Sequence, residues 1–252
     1  MNHPGTAAKA DIGNRQDVLD IGSSQNAFGC FSELVATATV DKPVRLGLLG
    51  GSFDPVHNGH LLLAQFALEQ HDLDGVLLIP VGFPFYKRQL MALTGRGGPA
   101  AAEARLEMLR LAIEGNPAFG VSRVEIDREG PTFTIDTIRI LNGLAGSGVE
   151  GSHLSLYLIV GADALIDLPN WHESQAIVDA VTILYSRRPG TNDEKVQEVA
   201  AGSIAALPID VPQLDISSTM IRKRIATGLP IRYLTPEAVV DYIEHHGLYK
   251  KE

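Results

Sequence analysis

Cysteine is almost absent from this chain. Cys30 stands alone among 252 residues, so no disulfide closes within the chain and no thiolate cluster can hold a metal. A reducing, cytoplasmic setting is the expectation that fits. Tryptophan is as scarce, with Trp171 the single copy. No apolar run approaches the roughly 18 residues of a membrane span. The N-terminus lacks a basic start followed by an apolar core, so no secretory signal is expected. Positive charge is also short: Lys and Arg total 21 against 30 Asp and Glu, a formal net charge of −9. A protein that grips long nucleic acid carries a basic excess. A small polyanion needs only local cations and aimed N–H groups. Small-molecule partners are therefore expected, with no nucleic acid and no membrane, and a homo-oligomer is left open.

What is present is an ordinary globular composition, 45% hydrophobic and 20% charged, long enough to bury a full core. Residues 1–42 are small, polar and without sustained period, and read as a mostly disordered extension with one short amphipathic piece over 28–35. Residues 43–252 read as one domain, with 215–252 as its C-terminal helical portion. Compact apolar runs at 44–50, 75–81, 121–126, 154–160 and 181–185 predict strands. Helical composition or amphipathic spacing predicts helices over 59–70, 100–114, 134–144, 193–201, 217–227 and 236–245. Alternation of the two element types predicts an α/β fold: a Rossmann-like, doubly wound parallel sheet with helices on both faces and a small C-terminal helical part. Ligands of such sheets sit outside the carboxyl ends of the strands. That singles out Gly50-Gly51, the stretch 80–87 and Gly161–Asp163. The long segment 82–99 has no clean period and reads as a functional or mobile loop.

Gly50-Gly51-Ser52-Phe53-Asp54-Pro55-Val56-His57-Asn58-Gly59-His60 follows the first strand and opens the first long helix. Glycines there permit a sharp turn and close approach of a ligand. The helix start supplies N–H groups and a positive dipole end, the elements of an anion site. His57 and His60, three apart, fall on one side of the first helical turn. The pair reads as donors to phosphate oxygens, with a zinc pair or two surface histidines as alternatives; zinc would want further ligands that no nearby Cys or His supplies. Asp54 reads either as a turn residue or as a partner of a metal-bound water.

Ile216-Ser217-Ser218-Thr219-Met220-Ile221-Arg222 offers a capped helix start, hydroxyls and a guanidinium fork. It reads as a second anion cradle or as a plain capped helix with a surface Arg. Gly50–His60 resembles the His-x-Gly-His box of the nucleotidyltransferases, and Ile216–Arg222 resembles the Ile-Ser-Ser-Thr-x-Ile-Arg box of the same superfamily. Arg128–Thr137, Leu158–Trp171 and Pro236–Tyr249 are similar to segments of nicotinate-nucleotide adenylyltransferases. The resemblance runs from about Val44 to Tyr249.

The resemblance implies an enzyme of NAD biosynthesis that moves the adenylyl group of ATP onto nicotinate mononucleotide, with Mg²⁺ carried on the ATP phosphates and no metal ligands among the residues. It implies ATP binding by Gly50, Gly51, Ser52, Phe53, His57, Gly59, His60, Gly161, Asp163, Ile216, Ser217, Ser218, Thr219 and Arg222. Acceptor binding would fall to Lys87, Thr132, Phe133 and Trp171. His57, His60, Lys87 and Arg222 would serve the transfer itself. Trp171 would stack on the nicotinate ring, against a bland reading as a core or interface anchor; Thr132 and Phe133 read otherwise as a tight turn feeding a helix. Pro84-Phe85-Tyr86-Lys87 departs from the family's Pro-Pro-His-Lys, and its Tyr-Lys resembles relatives that prefer nicotinamide mononucleotide. That acceptor, phosphopantetheine, and a nucleotide-binding regulator without catalysis are the alternative readings.

Overall fold

The computed structural model describes residues 28–39, 41–82, 100–128, 130–146, 153–187, 193–202, 204–212 and 214–250. Its frame is a sheet of six strands: β1 (Val44–Gly51), β2 (Gly75–Pro80), β3 (Phe119–Val121), β4 (Leu154–Gly161), β5 (Thr182–Ser186) and β6 (Leu207–Ile209). The order is β3-β2-β1-β4-β5-β6, and every neighbouring pair is parallel. This is the doubly wound arrangement expected from the alternating pattern. All six residues of β2 are buried, as a strand covered on both faces requires.

The described helices are α1 (Ser32–Ala36), α2 (Asn58–Gln70), α3 (Ala102–Ile113), α4 (Thr134–Gly146), α5 (Ala162–Asp167), α6 (Ser174–Ala180), α7 (Asp193–Ala201), α8 (Ser218–Ala226) and α9 (Glu237–His245). Alternate strand residues separate two cores. Leu46, Leu48, Leu77 and Leu158 enter one, beneath Ile138 of α4 and Ile177 of α6. Leu49, Leu78, Ile159 and Leu184 enter the other, with Ala64 of α2, Leu109 of α3 and Val239 of α9. The carboxyl ends of β1 and β4, side by side at the centre of the sheet, form the point where strand order reverses.

Two boundaries differ from expectation. The packed domain begins before residue 43: Phe28, Phe31, Val35 and Ala38 are all buried in the first core. The reason is shape. Gly75 and Gly120 leave a slot for the Phe31 ring, and a Cβ on Gly75 would lie 2.4 Å from Phe31 Cζ. The remainder of the expected extension, residues 1–27, lies outside the described residues. The strand expected over 121–126 is instead the short β3, Phe119–Val121, followed by a turn. The buried Ser122 hydroxyl accepts from Val124 N at 3.2 Å, and Arg123 folds back onto Asp127 at 2.7 and 3.0 Å. These local bonds compete with the ladder and end it.

Candidate active site

The segment Gly51–His57 leaves β1 at the central carboxyl edge and feeds α2. Phe53 adopts a left-handed backbone, φ +46°, a costly conformation for a bulky side chain that the surrounding packing must enforce. Its ring is buried in the second core and meets the His60 ring edge-on, centroids 4.9 Å apart. His57 caps α2 in an extended conformation. His60 Nδ1 accepts from the His57 backbone N–H at 3.2 Å, and the His57 side chain in turn accepts from the backbone of His60. The two rings stack at 3.6 Å between centroids. A neutral imidazole whose Nδ1 accepts carries its proton on Nε2, so the His60 Nε2–H is a donor. Gly59 makes this stacking feasible: a Cβ there would lie 3.1 Å from His57 Nδ1. Above Gly50 a Cβ would meet nothing within 4 Å, which leaves room for a ligand.

The second motif arrives at the same place. Ser217 caps α8 and accepts from Met220 N at 3.2 Å. Ser218 Oγ donates to the Pro55 carbonyl at 2.8 Å across 163 residues of chain. Arg222 donates through Nη1 to the Asp54 carbonyl at 2.6 Å and through Nη2 to Thr219 Oγ1 at 3.2 Å. The two helix starts are thus bolted together. Ile216 packs against the second core beside them.

Asp54, 2% exposed, sits behind this joint. Its Oδ1 accepts from Ala100 N at 3.1 Å and from the Tyr249 hydroxyl at 2.7 Å, while Oδ2 lies 3.7 Å from Arg222 Nη1. Burial, joined by the Asp54 charge, pushes the Tyr249 hydroxyl far above the ordinary phenol range, so it stays a donor. These engagements favour the turn role for Asp54 over contact with a metal-bound water. Arg105, also 2% exposed, ties the ends of two strands. Its guanidinium donates to the carbonyls of Ser52, Val81 and Gly82 at 2.8, 2.6 and 3.1 Å. Burial lowers its pKa and the Asp54 carboxylate opposes that shift. The C-terminal portion braces the loop further: Thr235 Oγ1 donates to the Val56 carbonyl at 2.9 Å, and Asn58 Nδ2 to the Tyr233 carbonyl at 2.8 Å.

On the other side of the central edge, Gly161 caps α5, and Asp163 is exposed in its first turn. Thr132, Phe133 and Trp171 are brought together: with Thr134, His172 and Ile177 they line a cavity of about 240 Å³. Phe133 is 41% exposed, and its ring packs on His172 with centroids 4.3 Å apart. Trp171 Nε1 donates to Asp167 Oδ2 at 3.3 Å while its ring rests on the first core. Lys87, with Pro84, Phe85 and Tyr86, lies outside the described residues. A larger cleft of about 480 Å³ opens beside β6, between Phe66, Arg187 and Pro208–Pro212, and holds none of the expected residues.

The cytidylyltransferase-like family matches over residues 48–224. A Roseiflexus sp. protein named "Probable nicotinate-nucleotide adenylyltransferase" is 45% identical over 210 residues, spanning 81% of this chain and 98% of the relative. The chain belongs to the nicotinate-nucleotide adenylyltransferase family. Its Thermus thermophilus member is 41% identical over 82% of this chain and all of its own length. The same fold appears in the Plasmodium falciparum nicotinic acid mononucleotide adenylyltransferase complexed with NaAD: TM-score 0.64, 18% identity, 82% of this chain and 97% of that one. The family match overlies both motif segments.

Arg105, Glu125 and the side-chain partnership of Asp54 with Tyr249 went unremarked in the sequence. Arg105 stands within AEARLEMLRLAI beside apolar Leu106, where a charge reads as a solvated face. Only the four carbonyls around it, from residues far apart in sequence, reveal its burial.

Proposed function

We propose that this family member transfers the adenylyl group of ATP to the 5′-phosphate of nicotinate mononucleotide, releasing pyrophosphate. The observation that carries the proposal is the joint of two helix starts, Ser218 on Pro55 and Arg222 on Asp54, beside a stacked imidazole pair. An acceptor phosphate oxygen attacks the α-phosphorus in line, and the bond between the α-phosphorus and the bridging oxygen to the β-phosphate breaks. The attacking phosphate has a second pKa near 6, so it is largely ionised at pH 7 and needs no general base.

The chain's task is positioning and neutralising charge. His57 and His60 face the phosphates, with His60 Nε2–H nearest the transferred phosphorus. Ser217, Ser218, Thr219 and Arg222 hold the β- and γ-phosphates, and the Gly50–Phe53 turn lies against the nucleotide. Gly161 and Asp163 belong to the adenosine side. Thr132, Phe133 and Trp171 shape the cavity for the nicotinate ring, and Lys87 neutralises phosphate charge. Mg²⁺ brought with the ATP would neutralise charge on the triphosphate held by these residues. The Asp54 carboxylate is engaged by Ala100 N and the Tyr249 hydroxyl. The reading includes a cytoplasmic enzyme, in keeping with its single cysteine.

The test offers ATP and Mg²⁺ with nicotinate mononucleotide, nicotinamide mononucleotide or phosphopantetheine, and measures pyrophosphate. The highest kcat/KM is expected with the nicotinate form. A clear preference for the amide or for phosphopantetheine would reassign the acceptor. ATP binding without pyrophosphate release on any acceptor would leave a nucleotide-binding protein without catalysis.

A further inference from the structure

Glu125 is a buried carboxylate that the transfer chemistry does not use. It is 8% exposed and stands in the turn after β3. Its Oε1 accepts from the Thr137 hydroxyl at 2.8 Å, in the first turns of α4. Burial pushes the Glu125 carboxyl above the ordinary range, and the Thr137 hydroxyl, Arg128 and the cavity-lining Thr132 oppose that shift. Arg128 in turn reaches the Phe133 carbonyl through Nη2 at 3.4 Å and lies 3.8 Å from Asp136. Its Nε and Nη1 are buried without a hydrogen-bond partner. Behind Glu125 the packing leaves no slack: a Cβ on Gly82 would fall 2.0 Å from the Glu125 carbonyl oxygen. Glycine at 82 lets the turn bearing Glu125 seat directly on the end of β2.

We infer that Glu125 is the positioning residue of the acceptor cavity, fixing the start of α4, and with it the Thr132–Thr134 turn that feeds this helix, through the Thr137 hydroxyl. This rests on the reading of that cavity as the nicotinate mononucleotide site. A buried carboxylate costs free energy unless its hydrogen bonds are made. Here the bond is made to Thr137 in the first turn of α4, directly after the cavity-lining residues 132–134, so the contact that satisfies the carboxylate also holds the cavity wall. Glu125 is not itself among the residues that line the cavity. Its loss acts on acceptor binding and leaves the grip on ATP intact.

The experiment compares the full-length protein with Glu125→Gln and Glu125→Ala, reading kcat and a separate KM for each substrate. Trp171, the only tryptophan, reports acceptor binding by its fluorescence without ATP. Glu125→Ala is expected to raise the KM for nicotinate mononucleotide about tenfold, the loss of roughly one charged hydrogen bond. The KM for ATP stays within about twofold, and kcat changes little. Glu125→Gln keeps an oxygen for Thr137 and falls between wild type and Ala, so it carries the test where the Ala variant fails to fold. Equal rises in both KM values, or an unchanged acceptor KM in a folded variant, would overturn the inference. A wild-type protein that neither turns over nor binds nicotinate mononucleotide overturns this inference together with the proposed function.

Discussion

His60 occupies the meeting point of three local constraints. Its backbone sits in the first turn of α2, its Nδ1 accepts from the His57 N–H, and its ring is held between Phe53 and His57. A side chain so fixed aims its Nε2–H without reorganisation, which is what makes a donor effective towards charge developing in a transition state. Removing one such donor typically costs about 10²–10³ in rate. His60→Ala is therefore expected to lower kcat by about 10²–10³. Its melting temperature moves little, because the His57 N–H loses a cap interaction of about 1 kcal/mol. A steady-state assay beside a thermal melt checks both halves, and near-normal turnover would remove His60 from the mechanism. The nearness of His57 and His60 was legible in the sequence, since spacing alone puts them on one side of a helix start. The stacking was not, because it depends on the backbone twist at Phe53 and on the bare Gly59.

Among the elements, the segment Phe28–Ala38 changes status most. Small polar residues around it read as an extension, yet its buried side chains Phe28, Phe31, Val35 and Ala38 complete the first core over β2 and β3. Short amphipathic pieces give a weak periodic signal, and the receiving slot is made by glycines far away in sequence. Phe31→Ala is expected to destabilise the protein by about 3–5 kcal/mol, as large-to-small changes of buried aromatics do. Denaturant titration reads this, and an unchanged midpoint would show that the segment is not part of the folding unit. The long elements were legible because their patterns are strong. α7 and α9 fall within a residue of expectation, and β1, β2 and β4 appear where the apolar runs stand. The short β6 was missed: three residues, one of them Pro208, carry no period. β3 was placed too late because Ser122 and Arg123 divert the chain into a turn through side-chain bonds that composition does not announce.

At the scale of the whole molecule, the C-terminal portion is the back wall of the Gly50–His60 loop. Ser218, Arg222, Thr235 and Tyr249 each bond to residues 54–56. A sequence shows two anion-friendly helix starts more than 150 residues apart, but their union depends on the parallel sheet delivering β1 to its centre and on the last helices folding back across it. The central claim is that both starts grip one triphosphate. A crystal structure with a non-hydrolysable ATP analogue tests it most directly. Phosphate oxygens are expected within about 2.7–3.2 Å of both His60 Nε2 and the Arg222 guanidinium. A triphosphate bound elsewhere, with the imidazoles and the Ser217–Thr219 segment touching no common ligand, would contradict the account.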